Sequence, residues 1–234
     1  MTWLLPLFGL GAGLLSTIAG LGGGMLLVLA LSALIDPRTA LATTTPALLG
    51  ANLHRAWMYR RALDRRVAGA ILLGAFPGAL LGSLVAVAIP EAALPWLLLA
   101  VAALAVVREL GWVRWDPSPR SLGPVGFASG AIAATSGGMV VSPMLLAAGV
   151  RGDALIGTAS ATAMTIHVAR TLGYGLGGWV RLETLASSAL LLVGLLAGNL
   201  AGKHLRARLG DRTTHLLTYA VLVLVVALAI AGVA

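Results

Sequence analysis

Gly20-Leu21-Gly22-Gly23-Gly24, followed by Met25-Leu26-Leu27-Val28-Leu29-Ala30-Leu31-Ser32-Ala33-Leu34-Ile35, is the stretch from which the fold can be read. Five residues, four of them glycine, interrupt an apolar run that extends over 3–35. The limb after the interruption has 11 residues. As a helix it would be about 17 Å long, well short of a hydrocarbon core of ~30 Å. A glycine break followed by a limb too short to cross predicts a re-entrant hairpin with its tip near the middle of a bilayer.

A second break of the same kind follows. The apolar segment 122–150 is interrupted by Thr135-Ser136-Gly137-Gly138, and its return limb, 139–149, also has 11 residues. Gly23-Gly24-Met25 matches Gly137-Gly138-Met139 at an offset of 114 residues, and the same offset pairs Ala40-Leu41 with Ala154-Leu155 and Thr44 with Thr158. Gly74, Gly78 and Gly82 match Gly194, Gly198 and Gly202 at an offset of 120. Two registers in one order indicate an internal duplication, with the added residues in a loop.

Composition agrees with a membrane setting. Hydrophobic residues make up 59% of the 234 residues and charged ones 10%, against about 45–50% and about 25% in ordinary soluble domains. Besides the two broken segments, apolar runs lie at 39–58, 67–89, 94–107, 154–171, 182–201 and 213–233. They are continuous rather than alternating, which excludes a β-barrel. With no cysteine, thiolate metal sites and thiol redox relays are excluded as well. Met1-Thr2-Trp3 lacks the basic start of a signal peptide, so the first segment is expected to be retained.

The net charge of +8 has a topological reading. If the loop holding Arg60, Arg61, Arg65 and Arg66 is cytoplasmic, each later span and hairpin fixes the next side. Thirteen of the 16 Lys and Arg then fall inside, with Arg38, Arg170 and Arg181 outside, so the faces carry +8 and 0. One topology thus satisfies the positive-inside rule and puts both termini outside. The expected fold is an all-α polytopic membrane protein of two inverted repeats, 1–110 and 122–234. Residues 111–121 form a cytoplasmic linker, and each repeat is a broken re-entrant hairpin plus three transmembrane helices.

Non-helical backbone at membrane depth marks binding sites, because protein or a water-filled cavity must satisfy it. Gly22, Gly23, Gly24, Ser136, Gly137 and Gly138 are therefore candidates, with limb N-termini that would favour an anion and glycines that allow it close. Close helix packing is the structural alternative for these glycines. Thr44 and Thr158 could donate hydroxyls to a ligand, or bond back to their own helix. Asn52 and His167 sit at nearly equivalent depths and could line the pathway. Arg55 and Arg170, near the ends of their apolar runs, are expected to snorkel, with a place in an anion vestibule as the alternative. The six tryptophans suit an interfacial belt. All eight acidic residues fall in loops or at span ends, which disfavours a cation or proton carrier. Neither a catalytic triad nor a nucleotide loop is present, so an enzyme is not expected.

At the glycine break and the helix after it, the chain resembles the TauE/SafE sulfite exporter family. The features are Gly20-Leu21-Gly22-Gly23-Gly24, Asp36-Pro37-Arg38-Thr39-Ala40 and the threonine run, recurring as Ser136-Gly137-Gly138 and Ala154-Leu155-Ile156-Gly157-Thr158-Ala159-Ser160. The resemblance covers nearly the whole chain. It departs at Thr135-Ser136, where the second break is usually glycine-rich, and at Thr43-Thr44-Thr45, where the family reads Gly-Thr-Ser. It implies transport of sulfite, an organosulfonate or a related small anion across a prokaryotic inner membrane, with no cofactor. It points to Gly22, Gly23, Gly24, Gly137, Gly138, Thr44 and Thr158. The expected partners are that anion, the lipid bilayer and a second copy in a homodimer, and nucleic acid is excluded. The alternative from another class is a membrane assembly or biogenesis partner that transports nothing.

Overall fold

The computed structural model describes residues 2–19, 23–109, 121–136 and 141–231. These residues form ten α-helices, with no strand among them, in the places the apolar runs predict. A short 3-10 turn, Thr2–Leu4, precedes α1 (Leu5–Ala19). There follow α2 (Gly23–Ser32), α3 (Pro37–Met58), α4 (Arg65–Ala88) and α5 (Leu94–Glu109). The second half contains α6 (Leu122–Ser136), α7 (Val141–Ala147), α8 (Gly152–Leu176), α9 (Leu182–Arg206) and α10 (Asp211–Ala231).

Two of the acids, Asp36 and Asp64, sit at helix starts as caps. Asp36 accepts from the Thr39 backbone N–H at 2.7 Å, with Pro37 presetting the first turn of α3. Asp64 accepts from the Arg66 and Val67 N–H groups, both at 3.0 Å, and starts α4. Each such cap contributes about 1 kcal/mol. At the other end of α8, Gly177-Gly178-Trp179 forms a Schellman turn. Gly178 takes φ +72, its N–H donates to the Gly175 carbonyl, and the Trp179 N–H donates to Tyr174 O at 2.8 Å. That turn folds Trp179 back onto Tyr174, with ring centroids 4.9 Å apart. Trp179 is therefore a buried packing residue rather than part of an interfacial belt; Trp3, Trp57 and Trp96 are exposed.

Glycines set the packing. The most extensive helix pairings are α1 with α9 and α4 with α6. A Cβ on Gly13 would lie 2.5 Å from the Leu195 carbonyl, and one on Gly82 would lie 2.5 Å from that of Ala131. These backbones touch in a way only glycine permits. The contacts repeat across the halves. Gly9 and Gly13 face Leu191 and Leu195, whereas Gly126 and Gly130 face Ile71 and Ala75. The offset is 117 residues on one side of each contact and 120 on the other. The order of contacts also gives direction: α1 and α3 run parallel to α9, and α6 and α8 run parallel to α4.

α3 and α8 cross at the centre, antiparallel. The Asp64 N–H, just beyond α3, donates to the Thr158 hydroxyl in the second turn of α8 at 3.0 Å. At the opposite end Thr39 and Thr43 share a cleft with Gly177 and Gly178. Two helices, α4 and α9, are long and apolar enough to cross a membrane. α3 and α8 are about as long but carry polar residues in mid-helix, and they bury Thr44, Asn52, Thr158, His167 and Arg170 between the other helices. The return limbs are short, as expected: α2 has 10 residues and α7 has seven.

The tips of both hairpins, within residues 20–22 and 137–140, lie outside the described residues, and the expectation of tips at mid-depth lies there with them. α1 runs along α9 to where Arg206 donates to the Ile18 carbonyl at 2.5 Å. Thr17 donates to Asn199, which in turn donates to the Ala51 carbonyl, so the last turn of α1 is level with Ala51 on α3. α6 ends beside Tyr174, whose hydroxyl donates to the Ala134 carbonyl. Glycine contacts hold α1 along α9 and α6 along α4.

Candidate functional site

Asn52 lies nine residues beyond Thr43 on α3, and His167 lies nine beyond Thr158 on α8. Since Thr43 and Thr158 mark opposite ends of the crossing, each residue is about 14 Å in from its own end of a crossing about 29 Å long. Both are 3% exposed. The depth equivalence predicted from sequence is therefore present, on the two helices at the centre of the bundle.

Each sits one turn before an arginine. The Arg55 guanidinium donates to Asn52 Oδ1 at 2.5 Å, and that of Arg170 lies 3.3 Å from His167 Nδ1. A guanidinium can only donate, so Nδ1 accepts and the ring proton of the neutral tautomer is on Nε2. Because the helices are antiparallel, Arg55 lies within about one turn of the level of His167.

For Arg170 the expectation of snorkelling is overturned. Arg170 is 0% exposed, its Nη2 is 3.5 Å from the Tyr174 hydroxyl, and its guanidinium stands 5.4 Å from that ring's centroid. The Nε atoms of both Arg55 and Arg170 are buried without a hydrogen-bond partner. Among the described residues no carboxylate lies within ion-pairing distance of either, and the one ion pair, Arg38–Glu91 at 4.0 Å, is at the surface. Arg170 does not snorkel because it is on the face of α8 packed against α4 and α3, while Leu172 and Leu176 make up the exposed face. An arginine at mid-membrane depth costs about 3 kcal/mol even on permissive scales.

The other sequence candidates have different surroundings. The Thr44 hydroxyl donates to the Ala40 carbonyl at 2.7 Å, and that of Thr158 accepts from Asp64. Both are fully buried and occupied in holding the helices. Gly23 is pressed against α1, where a Cβ would come 2.5 Å from the Ala12 carbonyl, and Gly24 beside it is half-buried. Close packing thus accounts for Gly23. Gly22, Gly137 and Gly138 lie outside the described residues, and Ser136 closes α6.

Sequence reasoning passed over Tyr174 and underweighted the arginines, although a signal was present. Asn52-x-x-Arg55-x-x-x-Tyr59 recurs as His167-x-x-Arg170-x-x-x-Tyr174 at an offset of 115. At positions i, i+3 and i+7 the three side chains share one helix face. The repeat was hidden because it falls between the registers of 114 and 120 that the glycines define.

A cleft of about 440 Å³ opens at the Trp179 end, between α3, α8 and α9, lined among others by Arg38, Thr43, Trp179, Arg181 and Ser187. Arg38 stands 5.1 Å over the Trp179 ring. At the opposite end Lys203 lies 5.8 Å from the Tyr59 ring centroid, one turn from Arg55. Basic and aromatic side chains thus stand together at both ends of the α3–α8 crossing.

No curated protein and no solved structure matches the chain. A family model, described as sulfite exporter TauE/SafE, matches residues 5–231 of the 234. Matched over nearly its whole length, the chain belongs to the TauE/SafE sulfite exporter family of membrane transporters.

Proposed function

We propose that this protein exports a small anion, sulfite or an organosulfonate, through a site at the centre of the α3–α8 crossing. The observation that carries the reading is Arg170: wholly buried, unpaired with any described acid, and with an unused donor. His167 orients that guanidinium from one side and Tyr174 from the other. Asn52 does the same for Arg55 on the facing helix.

The two halves act as inverted repeats. Support comes from the antiparallel α3 and α8 and from the glycine contacts repeated at offsets of 117 and 120 residues. Rocking of one half against the other about a fixed central site would open it to either face in turn. The end bearing Arg60, Arg61, Lys203 and Arg206 faces the cytoplasm by the positive-inside rule. An inside-negative potential then drives an anion outward by about 2.3 kcal/mol per charge per 100 mV. Uniport suffices, with no described carboxylate in mid-helix to carry a proton.

The test is a proteoliposome efflux screen over sulfite, sulfate, methanesulfonate and acetate. Potential-driven efflux of one or more sulfur oxyanions, above protein-free liposomes, is the expected result. Efflux of none of the four would refute transport and restore the assembly-partner alternative.

A further inference from the structure

The two copies of the Asn/His–Arg–Tyr motif do not pair off with acids, and they do not lie apart. Each arginine uses one nitrogen on the residue one turn earlier, Asn52 or His167, and leaves its Nε buried without a partner. α3 and α8 run antiparallel, so Arg55 falls near the level of His167 and Arg170 near that of Asn52. The other charged groups near the Arg55 end are Lys203, over Tyr59, and Asp153 with Arg206, all of which act on Tyr59. Among the described residues none of these forms an ion pair with either arginine. The central site therefore holds two positive charges with no counter-charge among the described residues.

We infer that Arg55 and Arg170 together form a clamp for a doubly charged anion, which they select over singly charged anions of the same size. The inference rests on the transport reading and adds the charge of the cargo to it. In a water-poor site a dianion neutralises both guanidiniums. A monoanion leaves one of them uncompensated, and a neutral sulfonate zwitterion leaves more. Each guanidinium has a free Nε–H to give, so the clamp grips from two helices that belong to different halves. Binding therefore also draws the halves together, which is what a carrier needs in order to move only when loaded. The two charges can sit on one compact oxyanion or at the two ends of a short chain; the shared chemistry is the double negative charge.

The experiment measures affinity on the purified full-length protein in detergent with three probes: sulfate, a compact dianion; malonate, a two-headed dianion; and methanesulfonate, a monoanion. At least one dianion is expected to bind ten-fold or more tightly than methanesulfonate, and sulfate against malonate tells which charge arrangement fits. In Arg55→Gln and in Arg170→Gln that preference should collapse to within about two-fold, because one charge remains. Arg55→Lys, which keeps the charge, should retain it. Methanesulfonate binding as tightly as both dianions in the wild-type protein would overturn the clamp while leaving anion transport standing. Preserved discrimination in either glutamine variant would overturn it too. No binding of any probe, with no efflux in liposomes, would remove the transport reading along with it.

Discussion

Replacing Arg170 with methionine should stabilise the anion-free protein and abolish its response to anion. The side chain is wholly buried and unpaired with any described acid. Removing a charge from that depth returns about 3 kcal/mol. The loss is a 3.3 Å contact with His167 and a 3.5 Å contact with Tyr174, of which only the first has good hydrogen-bond geometry, worth about 1.5–3 kcal/mol for a charged donor. The net change is about 0 to 1.5 kcal/mol in favour of the variant. For a chain of this size that raises the unfolding midpoint by up to about 6 °C. Anion at 100 times its dissociation constant should stabilise the wild type by about 2.7 kcal/mol and the variant by almost nothing. Thermal unfolding in detergent, with and without sulfate, measures both. An Arg170→Met protein that melts well below wild type in anion-free buffer, or that sulfate stabilises as much, would show that the arginine is a structural strut.

Tyr174→Phe removes the donor to the Ala134 carbonyl and should cost about 1–3 kcal/mol, seen as a lower unfolding midpoint, with anion affinity reduced because Arg170 loses its rest. Gly13→Leu should cost 2 kcal/mol or more by driving α1 off α9, since its Cβ would meet the Leu195 carbonyl, whereas Gly11→Leu, with nothing within 4 Å, should stay within about 0.5 kcal/mol. A cysteine replacing Glu91 should react with an impermeant thiol reagent in intact cells, and one replacing Asp64 only after permeabilisation. The reverse pattern would invert the topology.

Much of the architecture could be read in the sequence because its causes are local. The ten helices begin and end where the apolar runs, caps and glycine turns put them, and the glycines of the repeated register sit where α4 meets α6 and α9 meets α1. The functional centre was less legible. Position within an apolar run is a poor guide to depth when helices cross at an angle and start beyond the bilayer, so Arg55 and Arg170 looked terminal although Thr43 and Thr158 are what mark the crossing's ends. The glycine breaks drew attention because irregular backbone at membrane depth requires an explanation. Gly23 supplies one by packing on Ala12, and the arginines carry the unspent charge. Thr44 and Thr158 show the same limit, since a hydroxyl in a sequence does not reveal whether the ligand or the helix uses it.

The central claim, that Arg55 and Arg170 hold the transported anion, is tested most directly by flux. Wild type, Arg55→Gln and Arg170→Gln are reconstituted at equal density into sulfite-loaded liposomes, and a potassium-diffusion potential, negative inside, is imposed. The account predicts rapid efflux through the wild type and at least a ten-fold slower rate through each variant. Wild-type efflux from the Arg170→Gln liposomes would contradict it.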